Sequence, residues 1–187
     1  MSGPWIVAFV VLAVANLVTI TILVGLVRRV LPVVERASLG PSDADPLPFP
    51  RPGTTVPAFV GRADDGRVVA SDEVFAEPAV LLFVDAGCEP CRALLGELRS
   101  SPPRLSAAAL YVVTRGGDGH ADLPSGPRVR VLFQDGSEIT DSVGMGGVPS
   151  AVAVYAGGTV VAADIIGGAD RLQELIDRVE RSAVAPG

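Results

Sequence analysis

From Trp5 to Val27 the chain carries no charged residue, and only Asn16, Thr19 and Thr21 interrupt the apolar run. As a helix rising ~1.5 Å per residue, the run reaches roughly 35 Å, enough to cross a hydrocarbon core with some tilt. A cleaved signal peptide would need a basic segment ahead of a shorter apolar stretch and a small-residue cleavage site. Nothing before Trp5 is basic. Residues 1–30 therefore read as a transmembrane anchor rather than as a signal peptide or a buried core helix. Five prolines from Pro41 to Pro52 then rule out regular hydrogen-bonded structure, so residues 31–54 are expected to form a semi-extended tether.

At Val56 the pattern changes to short apolar runs separated by turns. Val56 to Val60 and Val68 to Ala70 flank Asp64-Asp65-Gly66, which predicts an antiparallel pair. Ala79 to Val84 is continuously apolar, as a central strand covered on both faces would be. Leu94, Leu95 and Leu98 share one helical face between Arg92 and Arg99, and Pro102-Pro103 stops that helix. Ala109 to Val113 predicts a second buried strand, completing a strand-helix-strand unit. After a Gly/Pro/Asp loop from Gly116 to Pro127, a short strand is expected at Val129 to Phe133, with a turn at Gln134-Asp135-Gly136. Ser150 to Tyr155 and Thr159 to Ile165 form a hairpin about Ala156-Gly157-Gly158. Leu172, Leu175, Ile176 and Val179 mark one face of a closing helix. The order β-β-β-α-β, short β, hairpin, α predicts an α/β sandwich over 55–183 with a tail at 184–187.

The chain of 187 residues has room for one such domain plus an appendage. Net charge is −6, and no cluster of arginines interleaved with aromatics follows the anchor. Nucleic-acid binding has no electrostatic support.

The only two cysteines stand in Cys88-Glu89-Pro90-Cys91, directly after the buried strand and at the start of the helix. A cysteine at a helix N-terminus meets unpaired N–H groups and the positive end of the dipole, which favour thiolate. Cys88 is thus expected to be the nucleophile and Cys91 the resolving thiol of a dithiol-disulfide couple. Pro90 falls in the first turn, where its missing N–H costs little. Glu89 opposes thiolate formation, which favours a reductase or mild exchanger over a strong oxidant. Zinc is disfavoured, since Cys88, Cys91 and His120 supply three ligands where a structural site takes four; no metal and no cofactor beyond the Cys88–Cys91 disulfide are expected. His120 reads as a solvated loop residue. Asp85 reads first as a solvated strand-end carboxylate and second as a proton-transfer group for Cys91.

The run from Val80 to Leu95 around the CxxC, the later Gly147-Val148-Pro149 and the strand-turn-strand from Ala151 to Ile165 resemble the membrane-anchored TlpA/ResA-like branch of the thioredoxin superfamily. Within it the chain is most similar to the methylamine-utilisation MauD-like proteins. The resemblance covers about Thr55 to Val179 and extends to the single N-terminal helix. It implies a thioredoxin-like three-layer sandwich with an N-terminal β extension, preceded by a single transmembrane helix. Cys88 and Cys91 would be its redox residues. Pro149 would be a cis-proline that lies against them, leaving the backbone of Val148 to pair with an extended substrate. Two positions depart from the pattern: Gly87 replaces the tryptophan usual before the first cysteine, and Leu82 stands where a buried acid would be.

The resulting expectation is a membrane-anchored thiol-disulfide oxidoreductase that meets the bilayer through residues 5–27, acts on protein thiols or disulfides and draws on an unidentified electron donor. Alternatives are a redox adaptor for an assembling membrane or exported partner, and a thiol peroxidase-like antioxidant. Arg28, Arg29 and Arg36 favour a cytoplasmic domain by the positive-inside rule, whereas the resemblance favours an extracytoplasmic one. The expected orientation is outward, with the redox domain extracytoplasmic.

Overall fold

The computed structural model describes residues 49–116 and 123–184, together with Leu12, Ala13 and Asn16. The expected anchor, most of the tether, the 184–187 tail beyond Val184, and His120 lie outside the described residues. Among those described, no helix is long and apolar enough to cross a membrane.

Seven strands build one mixed sheet: β1 (Val60–Ala63), β2 (Val68–Ala70), β3 (Ala79–Phe83), β4 (Ala109–Arg115), β5 (Val129–Gln134), β6 (Ser150–Val154) and β7 (Val160–Ile165). Their order across the sheet is β2-β1-β5-β4-β3-β6-β7. Helices α1 (Ser71–Val74), α2 (Glu89–Ser100), α3 (Glu138–Val143) and α4 (Ala169–Val184) complete the fold. β3 runs parallel to β4, the central strand of the order, and antiparallel to β6, so it is paired on both edges.

Strand alternation divides the core into two layers, because successive side chains point to opposite faces. Ala79, Leu81 and Phe83 of β3 face the layer that holds Val74 of α1, Ile139 and Val143 of α3, and the Phe59–Phe75 edge-on pair. Val80 and Leu82 face the other layer, with Leu94, Leu95 and Leu98 of α2 and Leu172, Leu175, Ile176 and Val179 of α4. A strand covered on both faces has no polar side to show. That is why 79–84 reads as an unbroken apolar run, and each leucine buried there contributes roughly 1.5–3 kcal/mol.

Three features differ from the sequence expectation. The first strand lies at Val60–Ala63 rather than Val56–Val60: Val56 and Phe59 are buried, but Pro57 has no N–H for a ladder, and the hairpin pairs Val60, Gly61 and Arg62 with Ala70, Val69 and Val68. The strand includes Gly61, whose missing side chain the sheet requires. A Cβ there would lie 2.7 Å from Leu132 Cγ and 2.9 Å from Ile139 Cδ1. Second, Gln134 is a buried strand end rather than a turn residue, and it leads into α3. Third, α1 and α3 were not anticipated. Each is too short to show a helical period.

Residues 49–54, within the expected tether, lie along the domain. Phe49 packs against the α1/α3 layer, and the N–H of Gly53 donates to the carbonyl of Val160 at 2.8 Å.

Candidate functional site

β3 ends at Phe83, and the chain turns through Asp85 to Gly87 before α2 begins at Glu89. Cys88 is the N-cap, with extended φ and ψ of −90° and 115°, and its sulfur accepts the N–H of Cys91 at 3.2 Å. A sulfur thus takes the position that Ser, Thr or Asp usually fills, meeting one of the N–H groups a helix start leaves open. Pro90 lies in the first turn with Glu89 beside it. Cys88 and Cys91 are joined as a disulfide with Cα atoms 5.2 Å apart. The two sulfurs differ in access: Cys88 is partly exposed, and Cys91 is fully buried against the α2/α4 layer.

The Val148–Pro149 peptide is cis. The carbonyl oxygen of Val148 lies 3.9 Å from the sulfur of Cys88, across 60 residues of sequence. Behind it, the carbonyl of Pro149 accepts the N–H of Ile166 at 2.9 Å, and the buried Ser150 hydroxyl donates to the carbonyl of Gly147 at 2.5 Å. The segment is therefore fixed from the sheet side. Val148, whose carbonyl faces Cys88, remains 41% exposed.

Leu82 is completely buried in the same layer as Cys91, so no acid stands at that position beneath the disulfide. Asp85 is engaged instead at the turn. Its Oδ1 accepts the N–H of Gly87 at 2.8 Å, and its Oδ2 lies 3.1 Å from Nη2 of Arg115. To the sequence reading of Asp85 as a solvated strand-end carboxylate, or second as a proton-transfer group for Cys91, the structure adds these two contacts on a part-exposed side chain just past the end of β3. The sequence gives Arg92 only as a helix boundary and assigns Arg115 nothing at the site. Arg92 donates from Nη1 to the carbonyl of Ala86 at 3.3 Å, from within the segment quoted for the motif. For Arg115 the signal was the parallel register. Phe83 lies opposite Val113, and two residues further along each strand bring Asp85 to Arg115. Among the described residues, no group of three His, Cys, Asp or Glu side chains could hold a metal ion.

Solved structures carry the comparison further. No family model matches the sequence, and no curated protein does. Similar folds occur in a thio-disulfide isomerase from Thermus thermophilus, at 23% identity and TM-score 0.54 over 74% of this chain and 100% of that one. A thiol:disulfide interchange protein from a Bacteroides species aligns at 18% identity and TM-score 0.52, over 72% and 91% of the two chains. The thioredoxin domain of a thiol-disulfide oxidoreductase from Bacteroides vulgatus aligns at 20% identity and TM-score 0.50, over 72% and 99%. The fold of the described domain is thioredoxin-like, with a CxxC disulfide at the N-terminus of its second helix and a cis-proline beside it.

Proposed function

We propose that the protein is a thiol-disulfide oxidoreductase acting on protein disulfides, with Cys88 as nucleophile, Cys91 as resolving thiol and Val148-Pro149 as the substrate-contacting segment. The observation that carries this reading is the asymmetry of the pair. Cys88 sits partly exposed at a helix N-terminus within 3.9 Å of the Val148 carbonyl, while Cys91 is buried behind it. The Cys88 thiolate attacks one sulfur of a substrate disulfide, forming a mixed disulfide and releasing the other sulfur as a thiolate that takes a proton. Cys91, deprotonated, attacks the Cys88 sulfur, and the second substrate thiolate leaves. Two electrons have passed to the substrate, and Cys88–Cys91 is oxidised. A dithiol donor restores it.

Glu89 in the first turn supports the assignment as reductase or mild exchanger, because its charge opposes the thiolate that a strong oxidant needs. The names of the similar solved structures support the same chemistry. We further infer a MauD-like place within the TlpA/ResA-like branch, an anchor across residues 5–27, a tether and an extracytoplasmic domain. Support comes from the uncharged run, the proline-rich segment and the Gly147-Val148-Pro149 signature.

Incubation of the reduced Cys91→Ser protein with a disulfide-bonded protein should accumulate a mixed disulfide through Cys88, visible on a non-reducing gel. The Cys88→Ser protein should form none. Equal trapping by both variants, or by neither, would remove the assignment.

A further inference from the structure

The turn that delivers Cys88 is held by groups that the exchange steps do not consume. The carbonyl of Asp85 accepts the N–H of Cys88 at 3.1 Å, closing the turn, and its Oδ1 accepts the N–H of Gly87 at 2.8 Å. Nη1 of Arg92 takes the carbonyl of Ala86 at 3.3 Å. The other carboxylate oxygen of Asp85 meets Arg115, the last residue of β4, at 3.1 Å. An aspartate that bonds the N–H two residues on is a recognised way of fixing a turn. Gly87 fits the device: a Cβ there would come within 3.2 Å of Asp85 Oδ1, so a side chain at 87 and the carboxylate would contend for one space.

The charge arrangement has its own consequence. Asp85, Glu89, Arg92 and Arg115 are the charged side chains that flank Cys88 or bond to its turn. Two are carboxylates, and both oppose a thiolate at Cys88. Arg115 neutralises the one that is also needed as a hydrogen-bond acceptor. An exposed ion pair adds little to stability, whereas an uncompensated charge near a thiol moves its titration directly. The effect of this pair therefore falls on the cysteine.

We propose that Asp85, held by Arg115, is a positioning residue for Cys88: it fixes the turn that presents the sulfur, and the arginine cancels the charge this would otherwise impose on the thiolate. This rests on Cys88 being the attacking thiol, as proposed above. Asp85→Asn keeps an acceptor for Gly87 but leaves Arg115 uncompensated, so the Cys88 titration moves to lower pH. Arg115→Ala leaves the carboxylate uncompensated, so it moves to higher pH. Asp85→Ala has the charge of Asp85→Asn without the acceptor, and any difference between those two variants reports the turn alone.

The test is the rate of iodoacetamide alkylation of Cys88 against pH in the reduced full-length protein, with the site of labelling read by mass spectrometry. Mixed-disulfide formation with a protein disulfide is measured in parallel, and circular dichroism monitors folding. Opposite shifts for Asp85→Asn and Arg115→Ala, with mixed-disulfide formation several-fold slower in Asp85→Ala than in Asp85→Asn, are expected. Coincident titration curves for wild type, Asp85→Asn and Arg115→Ala would overturn the proposal. If Asp85→Ala fails to fold, the other two variants decide. Alkylation needs no substrate, so a wild type that exchanges no disulfide would remove the proposed function while leaving these curves to judge the positioning role separately.

Discussion

Glu180 gathers the N–H groups of Ser106, Ala107 and Ala108 at 2.8, 2.9 and 3.0 Å, and the Ser106 hydroxyl at 2.5 Å, onto one carboxylate. Partial burial pushes this carboxyl up, but the Ser106 hydroxyl and the three backbone donors together outweigh it and hold the group below the usual glutamate value. A carboxyl lowered on folding contributes stability that is present above its unfolded pKa and is lost as pH falls through the folded one. Urea midpoints of the wild type should therefore fall below about pH 4.5, more steeply than those of Glu180→Gln. Parallel pH profiles would refute the linkage. Glu180→Ala, which leaves several donors without their acceptor, should cost about 1–3 kcal/mol at neutral pH. At this scale the candidate site was partly legible. Cys88, Cys91 and Pro149 announce themselves by motif and spacing, because the chemistry needs those residue types close to fixed elements. Arg115 does not, since its meeting with Asp85 depends on which strands pair and in what register.

Among the elements, two helix starts are closed by side chains from elsewhere in the fold. Gln134, 7% exposed at the end of β5, accepts the N–H groups of Ile139 and Thr140 at 3.0 Å each, and its amide donates to Thr140 Oγ1 at 2.7 Å. Glu97 of α2 accepts the N–H of Ala169 at 2.9 Å, joining the two helices of the other layer. Replacing Gln134 with alanine strands donors at the buried start of α3 and should destabilise the domain by about 1–3 kcal/mol in chemical denaturation. A change under about 0.3 kcal/mol would show that water replaces the side chain without loss. Such borrowed caps explain what the chain hid. Ser137, the residue before α3, makes no side-chain capping bond to it, and the helix spans only six residues with Ile139 and Val143 buried. Its stop was written in Gly144 at φ 76°, but its start lies in Gln134, which reads locally as a turn residue. The longer elements were legible because their periods run far enough to be seen: β3, β4, the β6–β7 hairpin, α2 and α4 fall where the pattern puts them, within a few residues. β1 was displaced because Val56 and Phe59 are buried ahead of the ladder, which starts only at Val60, and because Gly61 breaks a local strand pattern while answering to Leu132 across the sheet.

For the whole molecule, the chain divides at Asp45/Pro46 into two compact units, and the second holds every strand among the described residues and both cysteines. Among the described residues, the two layers on either face of the sheet draw their buried side chains from positions 56–179, with Phe49 added at the margin. A unit with its own core can fold alone. A chain beginning at Pro46 should therefore give a cooperative thermal transition and retain exchange activity per molecule equal to the full chain within about twofold, since no residue of the proposed chemistry lies before Asp85. The same cut separates the domain from the proposed anchor. Membranes from cells making the full chain should keep it in the pellet after carbonate extraction, as an uncharged run long enough to span a bilayer requires, and the chain from Pro46 should remain in the supernatant. Release of the full chain by carbonate would overturn the anchor, because removal of peripheral contacts leaves a spanning helix in place. On intact cells, a membrane-impermeant maleimide added after mild reduction should then label the anchored protein at Cys88. Labelling only after the membrane is breached would place the domain in the cytoplasm, where Arg28, Arg29 and Arg36 would favour it. Substrates would then have to be sought among cytoplasmic disulfides, which are rare and transient.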